Sequence, residues 1–165
     1  MRDHILYDSV TLGAAAVEAT LFQQAVGAKA TGYYECNMEQ VGQLPDGQGF
    51  DILAISKSFL PGAVIADAVA LDKGWWELKI NDQVKLGPMP IFCVPSNTGI
   101  LPIPDAASAG TTTYAIGAGA SFQNVMKLDN PISLSGGVAF KAILHWPVAP
   151  NAKTIYWMFH GVLTG

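Results

Sequence analysis

Charged side chains are scarce in this sequence. Lys and Arg number 9 and Asp and Glu 13, together 13% of 165 residues, while 50% are hydrophobic. An ordinary soluble domain carries about 25% charged residues. So few charges leave much of a folded surface uncharged, and large exposed apolar patches mark interaction sites. The composition therefore predicts that a membrane or other protein copies cover part of this chain.

Long hydrophobic runs are also missing. A spanning helix needs about 20 consecutive apolar residues. The longest candidate, Leu60 to Leu71, is too short and contains Pro61, Gly62 and Asp67. The opening Met1-Arg2-Asp3-His4 sets an acid beside its base, and Asp8 and Glu18 interrupt the apolar stretch behind it. It does not read as a secretory signal, so synthesis in the cytoplasm is expected. A net charge of −4 argues against a sequence-independent grip on nucleic acid, which rests on Lys and Arg.

Clustered chemistry is absent too. Cys36 and Cys93 have no metal-ligand spacing and read as free buried thiols, with a disulfide the open alternative. His4, His145 and His160 are far apart, and His145 and His160 meet only if their strands pair. Two imidazoles make half a zinc site, with no third ligand in evident reach. There is no Gly-x-Ser-x-Gly elbow. Gly117-Ala118-Gly119-Ala120-Ser121-Phe122 lacks the third Gly and the Lys of a phosphate loop and reads as a small-residue turn. Glu35 with Glu39, and Asp67 with Asp72, make no paired-acid cleft. No catalytic residue, cofactor or metal is expected, and the chain does not read as an enzyme.

The pattern that is present is alternation. Gly (17) and Pro (10) cut the chain into short pieces. Phe50 to Lys57 alternates, with Phe50, Ile52, Ala54 and Ser56 on one face and Asp51, Leu53, Ile55 and Lys57 on the other. In Trp75 to Ile80, Trp76, Leu78 and Ile80 oppose Glu77 and Lys79. Asn81-Asp82 turns the chain, and Val84 and Leu86 return in a second strand. Val138, Phe140, Ala142, Leu144 and Trp146 share a face opposite Lys141 and His145. Ile155, Trp157, Phe159 and Leu163 alternate with Thr154, Tyr156, Met158 and His160, after a Pro147 and Pro150-Asn151 turn.

Weaker strand patterns run over Ala19 to Ala25, Thr31 to Asn37, Ile91 to Val94, Thr112 to Ile116 and Ser121 to Leu128. Gly62 to Leu71 fits a short helix, and Ala14 to Gln24 fits helix or strand. Pro88 to Pro104 and Gly110 to Gly119 read as loops or edge segments. The expectation is one all-β domain over residues 1–165, a sandwich or barrel of about eight antiparallel strands with little helix.

Two blocks carry a family resemblance. One runs Glu35-Cys36-Asn37-Met38, Gly42-Gln43-Leu44-Pro45 and Phe50-Asp51-Ile52-Leu53-Ala54-Ile55. The other runs Trp76-Glu77-Leu78-Lys79-Ile80-Asn81-Asp82-Gln83-Val84-Lys85-Leu86-Gly87-Pro88, then Pro95 and Gly99-Ile100. The chain resembles jelly-roll capsid proteins of tailless icosahedral phages, including those with an internal membrane. The blocks cover about a third of the chain, and their motifs are short.

The resemblance implies a single jelly-roll sandwich acting as a capsid subunit in the virion, assembled in the host cytoplasm. It implies homo-oligomers (trimers or higher capsomers), other capsid proteins as neighbours and, in the members that have one, the internal membrane. Many major capsid proteins of the lineage fuse two jelly rolls, and 165 residues fit one. A single-roll major subunit, one of two subunits and a minor or vertex protein are all open. Tyr33, Tyr34, Trp75 and Tyr156 are the candidate subunit contacts, because large aromatics anchor interfaces. The competing expectation is a carbohydrate-binding, lectin-like β-sandwich with Trp75 or Trp76 as its platform. A small secreted hydrolase on a β scaffold is a third.

Overall fold

A computed structural model describes residues 1–59, 65–96, 100–102, 114–116, 125–150 and 153–165. Its elements in chain order are β1 (Arg2–Thr11), β2 (Glu18–Leu21), β3 (Gly49–Phe59), α1 (Ile65–Asp72), β4 (Trp75–Ile80), β5 (Gln83–Pro90), β6 (Ile100–Pro102), β7 (Tyr114–Ile116), β8 (Met126–Ser135), β9 (Phe140–His145) and β10 (Thr154–Thr164). Eight strands form two four-stranded antiparallel sheets, ordered β1-β10-β3-β8 and β2-β9-β4-β5. The short strands β6 and β7 pair apart from both. The protein is an all-β sandwich, as its alternating segments predict.

The two sheets meet through aromatic side chains. Trp76 of β4 and Trp157 of β10 lie with ring centroids 4.8 Å apart across the layer. Phe22 stacks on Phe159 at 4.8 Å and leans on Phe140 at 5.6 Å. Each such pair adds about 0.5–1.5 kcal/mol beyond its buried area. Phe140, Ala142 and Leu144 of β9 and Ile155, Trp157 and Phe159 of β10 all face inward, on the faces that alternation assigns.

The β4–β5 hairpin is also where expected. Asn81 and Asp82 both take positive φ, 49° and 59°, the conformation a two-residue turn requires to match strand twist. Past the turn the register slips, with Lys79 opposite Val84 but Leu78 opposite Leu86. Val84 is thereby left exposed while Leu86 packs against the core.

Strand β3 departs from simple alternation. Ile52 pairs with Gly161, whereas Ala54 pairs with His160, so Leu53 is the extra residue of a β-bulge. The bulge reverses the phase. Phe50 and Ile52 point inward before it, and Ile55, Lys57 and Phe59 point inward after it. The expected grouping of Phe50 and Ile52 with Ala54 and Ser56 is thus corrected. One added residue moves each later side chain to the opposite face.

Other expectations are corrected as well. Thr31 to Asn37 is not a strand but carries a 3-10 turn at Gly32–Tyr34, and Ile91–Cys93 is another in place of a strand. Ala14 to Gln24 resolves into the short strand Glu18–Leu21. The helix begins within the described residues at Ile65, and residues 60–64 lie outside them. The Gly117 to Phe122 turn, residues 112–113 and 121–124 of two expected strands, and Gly99 of the second resemblance block also lie outside. Strand β7 falls within the expected weak strand Thr112 to Ile116, and β6 within the Pro88 to Pro104 stretch expected to be loop or edge.

Strand β1 has no counterpart among the expected strands. Its inward series Leu6, Asp8, Val10 contains a carboxylate only 2% exposed. Lys29 Nζ neutralises Asp8 at 2.8 Å, and the backbone N–H groups of Ser9 (2.8 Å) and Phe22 (2.5 Å) donate to it. A buried carboxylate is tolerable only with such partners. The set also ties the loop after β2 down onto β1.

Candidate interaction surfaces

Among the described residues, exposed aromatics lie in two regions, on different sheets. The first is the outer face of β1-β10-β3-β8. Tyr34 meets Tyr156 edge-on at 6.1 Å. Burial first, and then the hydrogen bond with Tyr34, push the Tyr156 hydroxyl up to about 12. Tyr7 Oη donates to the Tyr33 carbonyl, while the Tyr33 ring is 69% exposed. Three of the four expected contact residues, Tyr33, Tyr34 and Tyr156, are therefore neighbours.

A clip on the sheet edge brings them together. Asn37 Oδ1 accepts from Tyr7 N at 2.8 Å, its Nδ2 donates to the Ile5 carbonyl at 2.7 Å, and its own N–H donates to the Tyr7 carbonyl at 3.2 Å. Those are groups of an edge strand that would otherwise offer themselves to another chain. Asn37 thus closes part of the β1 edge and presents the preceding tyrosines. Cys36 beside it is buried and free, and burial pushes its thiol up to about 11. Cys93 is free but exposed, which corrects the expectation that both thiols are buried.

The second region is one end of β2-β9-β4-β5, where Trp75 sits. Glu18, His145, Trp75 and Pro90 follow one another across four paired strands. His145 stacks on Trp75 with centroids 3.8 Å apart and planes 14° off parallel, and its Nδ1 lies 3.1 Å from Glu18 Oε2. One face of the Trp75 ring is therefore occupied. Trp76, the other expected platform, is wholly buried.

Close packing fixes this end. A Cβ on Gly74 would stand 2.4 Å from the His145 carbonyl, 2.7 Å from Trp146 Nε1 and 2.8 Å from Ile91 Cδ1, so only glycine lets these three segments converge. Trp146 Nε1 donates to the Leu71 carbonyl at 2.8 Å, and Trp146 N donates to the Val17 carbonyl at 2.8 Å. Four large apolar residues in or next to the segments that meet here are exposed: Val17, Trp75, Phe92 (59% exposed) and Val148 (77% exposed). Of these, the sequence pointed only to Trp75. Phe92 and Val148 carried no signal because a lone apolar residue in a loop looks the same whether buried or exposed.

Several buried charged and polar groups elsewhere are committed to structure. Lys57 Nζ, turned inward by the bulge, pairs with Asp72 at the end of α1 and donates to the Ile91 carbonyl at 2.9 Å. Burial lowers Lys57 and raises Asp72, each against the pull of the other. Asp67 pairs with Lys153 at 2.5 Å. His145 and His160 do not meet, because β9 and β10 belong to different sheets; His160 Nε2 instead lies 2.7 Å from Ser56 Oγ. Among the described residues, no group of three or more His, Cys, Asp or Glu is placed to hold a metal, and no helix is long and apolar enough to cross a membrane.

Comparison of the chain with protein-family models, curated proteins and solved structures finds no match.

Proposed function

We propose that this chain is a structural subunit that assembles with copies of itself into an icosahedral viral shell. The observation that carries the reading is strand order. Counting only the eight sandwich strands along the chain, the sheets read 1-8-3-6 and 2-7-4-5. Successive strands alternate between the sheets over most of the chain, and the last returns beside the first. That order supports a jelly roll, a double Greek-key sandwich used by capsid and lectin domains.

Fold alone does not give function. The low charge, the two exposed aromatic regions and the resemblance of the two sequence blocks incline the reading to a shell. The mechanism is assembly, with many contacts acting together and no chemical step. Residence in the virion and assembly in the host cytoplasm belong to the same reading.

The second reading is a carbohydrate-binding sandwich. Its support is Trp75, partly exposed and stacked on His145. Negative-stain microscopy of the purified protein separates the two. Rings or shells are the expected outcome. A monomer at high concentration, whose tryptophan fluorescence changes with added sugars, would establish the lectin instead. Copy number per purified particle then distinguishes a major from a minor subunit.

A further inference from the structure

We infer that the segment from Lys29 to Asn37 is a guard that withholds the β1 edge from strand pairing with a second copy of this chain. The inference goes beyond the shell reading and does not depend on it. Its basis is how the free edge of β1 is bonded. Alternate residues of an antiparallel edge strand turn both backbone groups away from the neighbouring strand. In β1 these residues are Ile5, Tyr7 and Ser9. Asn37 Nδ2 donates to the Ile5 carbonyl, Tyr7 N donates to Asn37 Oδ1, and Asn37 N donates to the Tyr7 carbonyl. Two residues on, Ser9 N donates to Asp8 Oδ1 at 2.8 Å, and Lys29 Nζ donates to the Ser9 carbonyl at 2.6 Å.

Asn37 N is a backbone group, and the other partners are side chains. The guard segment meets β1 as a strand would only at the isolated antiparallel bridge between Cys36 and Asp8, and a 3-10 turn precedes it. Among the described residues, β10 is the one strand paired with β1. The edge is therefore closed residue by residue, by amide, carboxylate and ammonium groups, with no second ladder laid along it.

Of the four sheet edges, β1 is the one that needs this cover. The edge strands are β1, β8, β2 and β5. Edges are blunted by shortness, proline or bulges. Strand β2 has 4 residues, β8 contains Pro131 and a register break against β3, and β5 contains Pro88 and Pro90 with register breaks against β4. Strand β1 runs 10 residues without proline, pairs with β10 in unbroken register and carries Ile5-Leu6-Tyr7. A long, regular, apolar edge recruits other chains. The partner it selects is a second β1, because antiparallel pairing about a two-fold axis makes a strand its own complement.

The test compares the unaltered chain with Asn37→Ala and Asn37→Ala/Tyr7→Pro, by sedimentation against concentration and by hydrogen exchange of the Tyr7 amide. Circular dichroism checks that each is folded. Asn37→Ala opens the edge, so self-association is expected to tighten at least about tenfold. At low concentration its Tyr7 amide should exchange at least about tenfold faster than in the unaltered chain, and slow again as copies pair. Tyr7→Pro removes an N–H on the free side of the strand, where proline is tolerated, and should cancel the added association. Where Asn37→Ala does not fold, Asn37→Asp keeps the acceptor for Tyr7, loses the donor for Ile5, and should give a smaller rise in the same direction.

If the folded Asn37 variant associates no more tightly than the unaltered chain, or if its Tyr7 amide keeps full protection at low concentration, the inference is overturned while the shell reading stands. If Asn37→Ala/Tyr7→Pro associates as tightly as Asn37→Ala, the contact is not the β1 edge and the inference is overturned as well. Shell-forming association would be common to all the chains compared, so its presence or absence alters none of these outcomes.

Discussion

Cys36 and Cys93 differ in environment more than in sequence. Cys36 Sγ donates to the Gln24 carbonyl at 3.3 Å and accepts from Met38 N at 3.2 Å, within a buried site that holds its thiol protonated well past neutral pH. Thiolate is the reactive form. A disulfide reagent at pH 8 should therefore label one thiol per chain quickly, at Cys93, and the second only after unfolding. Two rapid equivalents would mean that the site around Cys36 is open. Nothing local ranks these cysteines, because each sits among mixed neighbours and its burial depends on loop packing. Asp8 and Lys57 were misleading for a related reason. Each is an ion drawn inside by distant partners, Lys29 and Asp72, that no local pattern reveals.

Histidine titration belongs to the same scale. Burial lowers His160 from the ordinary value, and burial with the Arg2 charge lowers His4. The unfolded rings therefore take up protons at higher pH than the folded ones. Just below pH 6.5 the unfolded state binds more protons, and stability falls as pH drops through that window. Asp72, raised by burial, works in the opposite direction at lower pH. A urea midpoint lower at pH 5.5 than at pH 7.5 is expected, and His160→Gln should shrink the difference. An unchanged difference in that variant would remove His160 from the account.

At the scale of elements, alternation is legible where strands are regular and lost where they are not. The faces of β9 and the first part of β10 hold to period two because both neighbours pair without interruption. In β3 the bulge at Leu53 shifts the phase, and the sequence Ile52-Leu53-Ala54 does not mark it. Opposite the bulge, Gly161 carries the constraint, since a Cβ there would lie 1.9 Å from the Asp51 carbonyl oxygen. Gly161→Ala should cost about 3 kcal/mol or more in chemical denaturation, because the backbone must shift. A loss under about 1 kcal/mol would show that the bulge yields freely. Strand β1 escaped notice because Asp8 interrupts its apolar series. The 3-10 turns at Gly32–Tyr34 and Ile91–Cys93 stand where strands were expected, because aromatic and aliphatic residues raise strand propensity whether they end up exposed, as Tyr33, Tyr34 and Phe92 do, or buried, as Ile91 does.

For the whole molecule, the shortage of charge has a place as well as a value. An apolar core fills the space between the sheets, and the large apolar residues left exposed include Tyr33 and Tyr34 on one side and Val17, Trp75, Phe92 and Val148 in the segments near Trp75, with Val41 and Val84 elsewhere. The all-β class and the sandwich were readable from the spacing of strands. The exposure of Phe92 and Val148 was not, since it depends on how distant segments pack around Gly74. Self-assembly is the central claim, and sedimentation velocity over a wide concentration range tests it most directly. Species of many subunits, growing with concentration, are expected. A single 17.4 kDa species at every concentration would rule the shell reading out.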